Sequence, residues 1–92
     1  MTEYVKDPSA IKDYTIDWGP YLASNGSDTI ATSTWSVPAG LTEPNADTND
    51  TTTATVWLGS GTLGERYTVT NEITTAGGRT DQRSIVVCVE EL

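Results

Sequence analysis

Between Arg66 and Val89 the residues alternate in a way that only an extended chain can use. Tyr67, Val69 and Ile73 share one parity, while Thr68, Thr70, Glu72 and Thr74 share the other. Successive side chains of a strand point to opposite faces, so this two-residue period predicts a half-buried strand over Arg66–Thr74. Its β-branched and aromatic content supports the same reading. Arg79 to Val89 repeats the period, with Ile85, Val87 and Val89 on one face. The link between the two runs is Thr75-Ala76-Gly77-Gly78, and paired glycines tolerate the positive φ of a tight turn. A long hairpin results, and the remaining strands are expected to lie against it.

The approach to the hairpin, Leu63-Gly64-Glu65-Arg66-Tyr67-Thr68-Val69, resembles the tyrosine corner of immunoglobulin-type sandwiches, in which a tyrosine hydroxyl bonds to upstream backbone. Upstream, Tyr14, Ile16 and Trp18 alternate with polar residues, predicting a strand that Gly19-Pro20 ends. Pro20 to Ala23 suits one helical turn, because proline is tolerated at the first helical position. Thr29–Val37 reads as a second strand, but Ile30 and Trp35 have opposite parity. Either a bulge shifts the register between them or Trp35 packs on the outer face. Leu41 is expected to be an isolated core contact. Ala54, Val56 and Leu58 point inward on a further strand, which leaves Trp57 outward or at an edge. Glu43–Thr53 is polar and has nothing to bury, so it reads as a long connection carrying short edge strands. The fold class is therefore all-β, an immunoglobulin-like antiparallel β-sandwich of about seven strands. Residues 13–92 form the sandwich, and residues 1–12, with Tyr4, Val5 and Ile11 as their few apolar candidates, form an extended N-terminal arm or an edge strand. A neighbouring subunit is expected to order that arm.

Composition narrows the chemistry. The 92 residues carry a formal net charge of −8, which argues against binding nucleic acid or an anionic membrane. There is no histidine, which removes the commonest general base and the commonest zinc ligand. The single cysteine, Cys88, rules out an internal disulfide, and with no cationic neighbour evident it reads as an unreactive thiol. No apolar run is long enough to span a bilayer, and Met1-Thr2-Glu3 opens onto polar residues rather than a signal peptide. No nucleophile–base pair can be assembled, so the chain is not expected to be an enzyme, and no cofactor is expected.

Several groups remain as candidates. Asp47-Thr48-Asn49-Asp50 places hard oxygen ligands close together but lacks the glycine and closing glutamate of a calcium loop, so no metal site is assigned. Asn25-Gly26-Ser27 and Asn49-Asp50-Thr51 match the glycosylation pattern and read as exposed loops. Arg79, Asp81 and Arg83 share parity on the last strand. They form either an exposed charge ladder or a dock for an acidic neighbour. No basic residue occurs between Asp13 and Glu65, so one side of the sandwich is either simply solubilising or a dock for a basic surface. Trp57 and Tyr21 are the aromatic candidates for partner contact. With Arg79, Asp81 and Arg83 they make up the expected partner-binding residues.

Taken together, many stretches resemble the phage fiber-tail adaptor protein family, small structural proteins of tailed-phage virions. They are Lys6-Asp7-Pro8, Asp13-Tyr14 with Asp17-Trp18 and Leu22, Asp28-Thr29-Ile30, and Trp35-Ser36-Val37-Pro38-Ala39-Gly40-Leu41-Thr42. They continue with Val56-Trp57-Leu58, Gly64, Tyr67-Thr68-Val69-Thr70-Asn71, Ile73-Thr74-Thr75, Gly78-Arg79-Thr80-Asp81 and Arg83-Ser84-Ile85. The resemblance implies an immunoglobulin-like sandwich without a catalytic site that joins tail fibres to the tail within the virion. Its partners would be other virion proteins, tail, fibre or capsid, with homo-oligomerisation in the particle. Two alternatives stand beside it: a capsid decoration or cement protein, and a carbohydrate-binding sandwich that stacks sugars on Trp57 and Tyr21.

Overall fold

The computed structural model describes residues 2–92. Its centre is the hairpin of β7 (Arg66–Thr75) and β8 (Thr80–Val89), paired antiparallel from Arg66↔Cys88 to Thr74↔Thr80. Tyr67, Val69, Ile73, Ile85, Val87 and Val89 are buried, as the alternation predicts. At the turn Gly78 alone of the two glycines takes a positive φ, +88°, while Thr75 and Arg79 close the loop through their backbones.

Two sheets pack face to face. The hairpin sheet runs β1 (Thr2–Lys6), β8, β7, β3 (Ile30–Ser36), and the second runs β2 (Lys12–Asp17), β6 (Thr53–Ser60), β4 (Leu41–Thr42), with β5 (Thr48–Asn49) also on β6. Tyr14, Ile16, Ala54, Val56 and Leu58 from the second sheet meet Val69, Ile73, Ile85 and Val87 from the first in one buried cluster. The helical turn after Trp18 is α1 (Gly19–Ser24), opened by a proline and pinned to the core by Leu22. Leu41 is buried, and of the 43–53 connection the exposed β5 forms one short strand while Thr53 already opens β6.

The conflict between Ile30 and Trp35 is resolved by a bulge. Ile30 pairs with Thr75 but Thr32 pairs with Thr74, so one extra residue shifts the register. Trp35 then lies opposite the inward-facing Asn71 and packs against the core.

Of the arm and the edge strand that the N-terminal sequence allows, the described residues take the edge strand. Thr2–Lys6 is an edge strand of the chain's own sheet, and Met1 lies outside the described residues. Its pairing with β8 is parallel, the exception in an otherwise antiparallel sandwich, because the chain leaves β1 in one sheet and enters β2 in the other. Alternation explains its contacts: Tyr4 packs inward with its ring 4.8 Å from that of Tyr14, while Val5 faces out. Ile11 is exposed as well. Lys6 takes the inward position and is fully buried, its ammonium donating to the carbonyls of Asp7 and Ser60. Burial pushes the Lys6 pKa down, with Asp7 opposing the shift. These ties join β1 to the rest of the chain, and β2 begins at Lys12.

Tyr67 does form a corner. Its hydroxyl accepts the Thr62 N–H at 2.9 Å. Gly40, at φ +105°, fits against the same phenol, and a β-carbon there would sit 2.8 Å from the hydroxyl oxygen. A buried polar junction joins the layers nearby. Asn71 accepts from Trp18 Nε1 at 2.9 Å and donates to Ser33 Oγ at 2.9 Å and the Thr34 carbonyl at 3.0 Å.

Candidate partner-binding surfaces

The end of β2, the turn α1 and the first half of β8 meet at one end of the sandwich. Alternation sends Trp18 into the core, where it is fully buried. The helical turn brings Tyr21 back onto it, with ring centroids 5.4 Å apart in an edge arrangement. Arg83 lies across both aromatics, its guanidinium carbon 4.4 Å from the Trp18 ring centroid and 5.8 Å from that of Tyr21. It also donates to the Asp17 carbonyl at 3.2 Å. Cation–π attraction and the packed guanidinium plane hold this stack together. Burial, and then the neighbouring Asp81 carboxylate, raise the Tyr21 pKa.

Arg79 has a different partner. It forms an ion pair with Asp28 at 2.9 Å. The Asp28 carboxylate also accepts the N–H groups of Thr29 and Gly77, each at 2.9 Å, and so ties the hairpin turn to the start of β3. The Thr75 hydroxyl, with these backbone donors and Arg79, holds its pKa down at about 2 against the opposing effect of burial. Arg79, Asp81 and Arg83 are thus not a simple ladder. Two of the three use their charge within the chain, on Asp28 and on the Trp18–Tyr21 pair.

Four of the five residues that the sequence marks for partner contact, Tyr21, Arg79, Asp81 and Arg83, therefore come together. Trp57 does not join them. It sits on β6, opposite Asp13, half-buried on the outer face of the second sheet. The Thr15 and Thr55 hydroxyls beside it are hydrogen-bonded at 2.8 Å.

Two shallow cavities flank these elements. One of about 270 Å³ lies beside α1 and is lined by Leu22, Ala23, Asp28 and Thr52 among others. The other, about 180 Å³, opens between β1, β2 and β8.

The remaining candidates have plain structural roles. Asp50 accepts the Thr52 and Thr53 N–H groups at 2.8 and 2.7 Å, which lowers its pKa and shapes the turn into β6. Among the described residues no three His, Cys, Asp or Glu side chains gather as metal ligands. Cys88 does have a cationic neighbour, Arg66, directly across the ladder, but Arg66 is bridged at 2.7 Å to Glu3. Burial and then the hydrogen bond to Glu3 push the thiol pKa up, so it is not an activated nucleophile. No helix among the described residues is long and apolar enough to cross a membrane.

Sequence reasoning passed over Lys6, Asn71 and Asp28. For Asn71 a signal existed: it shares the parity of Tyr67, Val69 and Ile73, and a polar residue on a buried face needs partners.

A family model described as podophage GP4 fiber-tail adaptor protein gp77 matches residues 6–88. Comparison with curated proteins gave no match.

Proposed function

Since this chain belongs to the podophage GP4 fiber-tail adaptor family, we propose that it is a structural protein of the virion that connects tail fibres to the tail. The family match over residues 6–88, from the end of β1 nearly to the end of β8, carries this reading. The physics is compatible. A small two-sheet sandwich offers faces and strand edges to which other proteins can attach during assembly. We read the fold as immunoglobulin-like on the Tyr67 corner and on the placement of β1 beside β8, opposite the β2–β6 layer. The chain acts without catalysis, its partners are tail and fibre proteins, and it works in several copies around the tail. Trp57 on one face and the Tyr21, Arg79, Asp81 and Arg83 group at one end are the surfaces proposed for contact.

The reading is tested genetically. A phage in which this chain is not made should assemble heads and tails that lack fibres. Particles with a full complement of fibres would refute the adaptor role, and loss of capsid integrity instead would point to the cement alternative.

A further inference from the structure

One flank of the sandwich is left open. Among the described residues β2 pairs with β6 alone, so the N–H and C=O groups along its other edge have no ladder partner. Across the gap, the described residues of β1 pair with β8 from Ile85 to Val89, and no described residue pairs with Thr80–Ser84 on that side. Between these edges runs the cavity of about 180 Å³, whose lining includes Tyr4, Ile16 and Ile85 together with the polar Thr15, Asp17 and Arg83. An unpaired strand edge next to a partly apolar trough is the geometry that accepts an added strand.

The side chains of β2 define what that strand must carry. Tyr14 and Ile16 point inward, while Asp13, Thr15 and Asp17 are exposed on the outer face. The ion pairs among the described residues involve neither Asp13 nor Asp17. Residues directly opposite in adjacent strands interact, favourably when their charges differ and unfavourably when they match. An incoming strand therefore meets a carboxylate at each of two outward positions four residues apart, with a threonine between them. Its inward side chains lie over the trough. A second copy of β2 is a poor occupant, because it brings the same carboxylates together between chains that each carry a net charge of −8.

We infer that the free edge of β2 takes up an extended, basic segment of a partner protein. In that segment lysine or arginine occupies two outward positions four residues apart, a small polar residue lies midway, and apolar residues alternate inward. This rests on the adaptor reading only in taking the partner to be another virion protein.

The probe is a capped peptide, Thr-Lys-Val-Thr-Val-Lys-Thr, titrated into the isotope-labelled full chain and followed by amide chemical shifts. Its core is palindromic, so it presents the same charges in either strand direction. Shifts are expected along Lys12–Asp17 and at Thr2, Tyr4, Ser84 and Ile85, with binding weakened by added salt. The counterpart with glutamate in place of lysine should bind far more weakly. Asp13→Lys should weaken the lysine peptide about three- to tenfold. It should also create a preference for a peptide with glutamate at one end and lysine at the other. Asp13 is chosen because Asp17 accepts the Gly19 N–H at 2.8 Å and its loss would disturb α1. Should Asp13→Lys fail to fold, the salt dependence and peptide charge preference of the unaltered chain decide the matter. Equal binding of the two peptides, or no shifts along Lys12–Asp17 at millimolar peptide, would overturn the inference. A chain found at the fibre–tail junction that shows neither effect would sink this inference and leave the adaptor role standing.

Discussion

Asn71→Ala tests how the two sheets are held in register. In the native chain the Asn71 amide makes three contacts: it accepts from Trp18 Nε1 and donates to Ser33 and to the Thr34 carbonyl. Both Asn71 and Trp18 are fully buried. Truncation leaves the indole N–H without an acceptor in the core, which costs roughly 1–3 kcal/mol. The two lost donations, at partly buried acceptors, add about 1 kcal/mol together, and the vacated volume adds a comparable amount. The total is about 3–5 kcal/mol, a large share of the roughly 5–15 kcal/mol that holds a small domain together. For a domain of this size the thermal midpoint should fall by roughly 15–25 °C. Urea unfolding should show a lower midpoint with an unchanged slope, since the surface exposed on unfolding is the same. A double-mutant cycle with Trp18→Phe isolates the cross-sheet bond and should return a coupling of about 1 kcal/mol or more. A loss below about 1 kcal/mol, or a coupling near zero, would refute the view that this amide joins the layers.

Other perturbations follow from the same contacts. Tyr67→Phe keeps the ring but removes the acceptor for the Thr62 N–H, and a loss of about 1–2 kcal/mol is expected by urea titration. Gly40→Ala should destabilise by roughly 1–3 kcal/mol, because its φ of +105° and the Tyr67 hydroxyl both oppose a β-carbon, whereas Gly26→Ala meets no neighbouring atom and should cost less. Asp28, whose folded pKa is lowered to about 2, contributes stability that is fully present above the ordinary carboxylate range and fades as pH falls toward 2. In acid unfolding, Asp28→Asn should flatten that part of the curve, and an unchanged acid limb would contradict the assignment. Arg83→Ala uncovers the Trp18 face, so tryptophan emission should shift to the red with a loss of about 1 kcal/mol, and an unchanged spectrum would argue against the stack.

The parts of this fold that sequence made legible are those where burial and alternation agree. Ala54, Val56 and Leu58 face inward because β6 is central and its period is unbroken. The opposite parity of Ile30 and Trp35 left either a bulge or an outward Trp35, and the register shift between Ile30 and Thr32 decides for the bulge. Legibility failed where a polar residue takes an inward position. Lys6 reads as solvent-facing, yet its long apolar stem fills the space beneath β1 while backbone carbonyls receive its ammonium. A pattern of hydrophobicity cannot anticipate that, because one of the two acceptors, the Ser60 carbonyl, lies far along the chain. The same limit applies to the candidate surfaces. Parity puts Arg79, Asp81 and Arg83 in one group, but only tertiary structure delivers Asp28 to one arginine and the Trp18–Tyr21 pair to another.

Imaging the intact virion with a fragment label fused beyond Leu92 would put the whole account at risk in a single experiment. The sandwich, with its hairpin wall of β7 and β8, should appear in several copies where fibres meet the tail, and the label should sit there and nowhere else. Label confined to the capsid shell, or absent from purified particles, would contradict it.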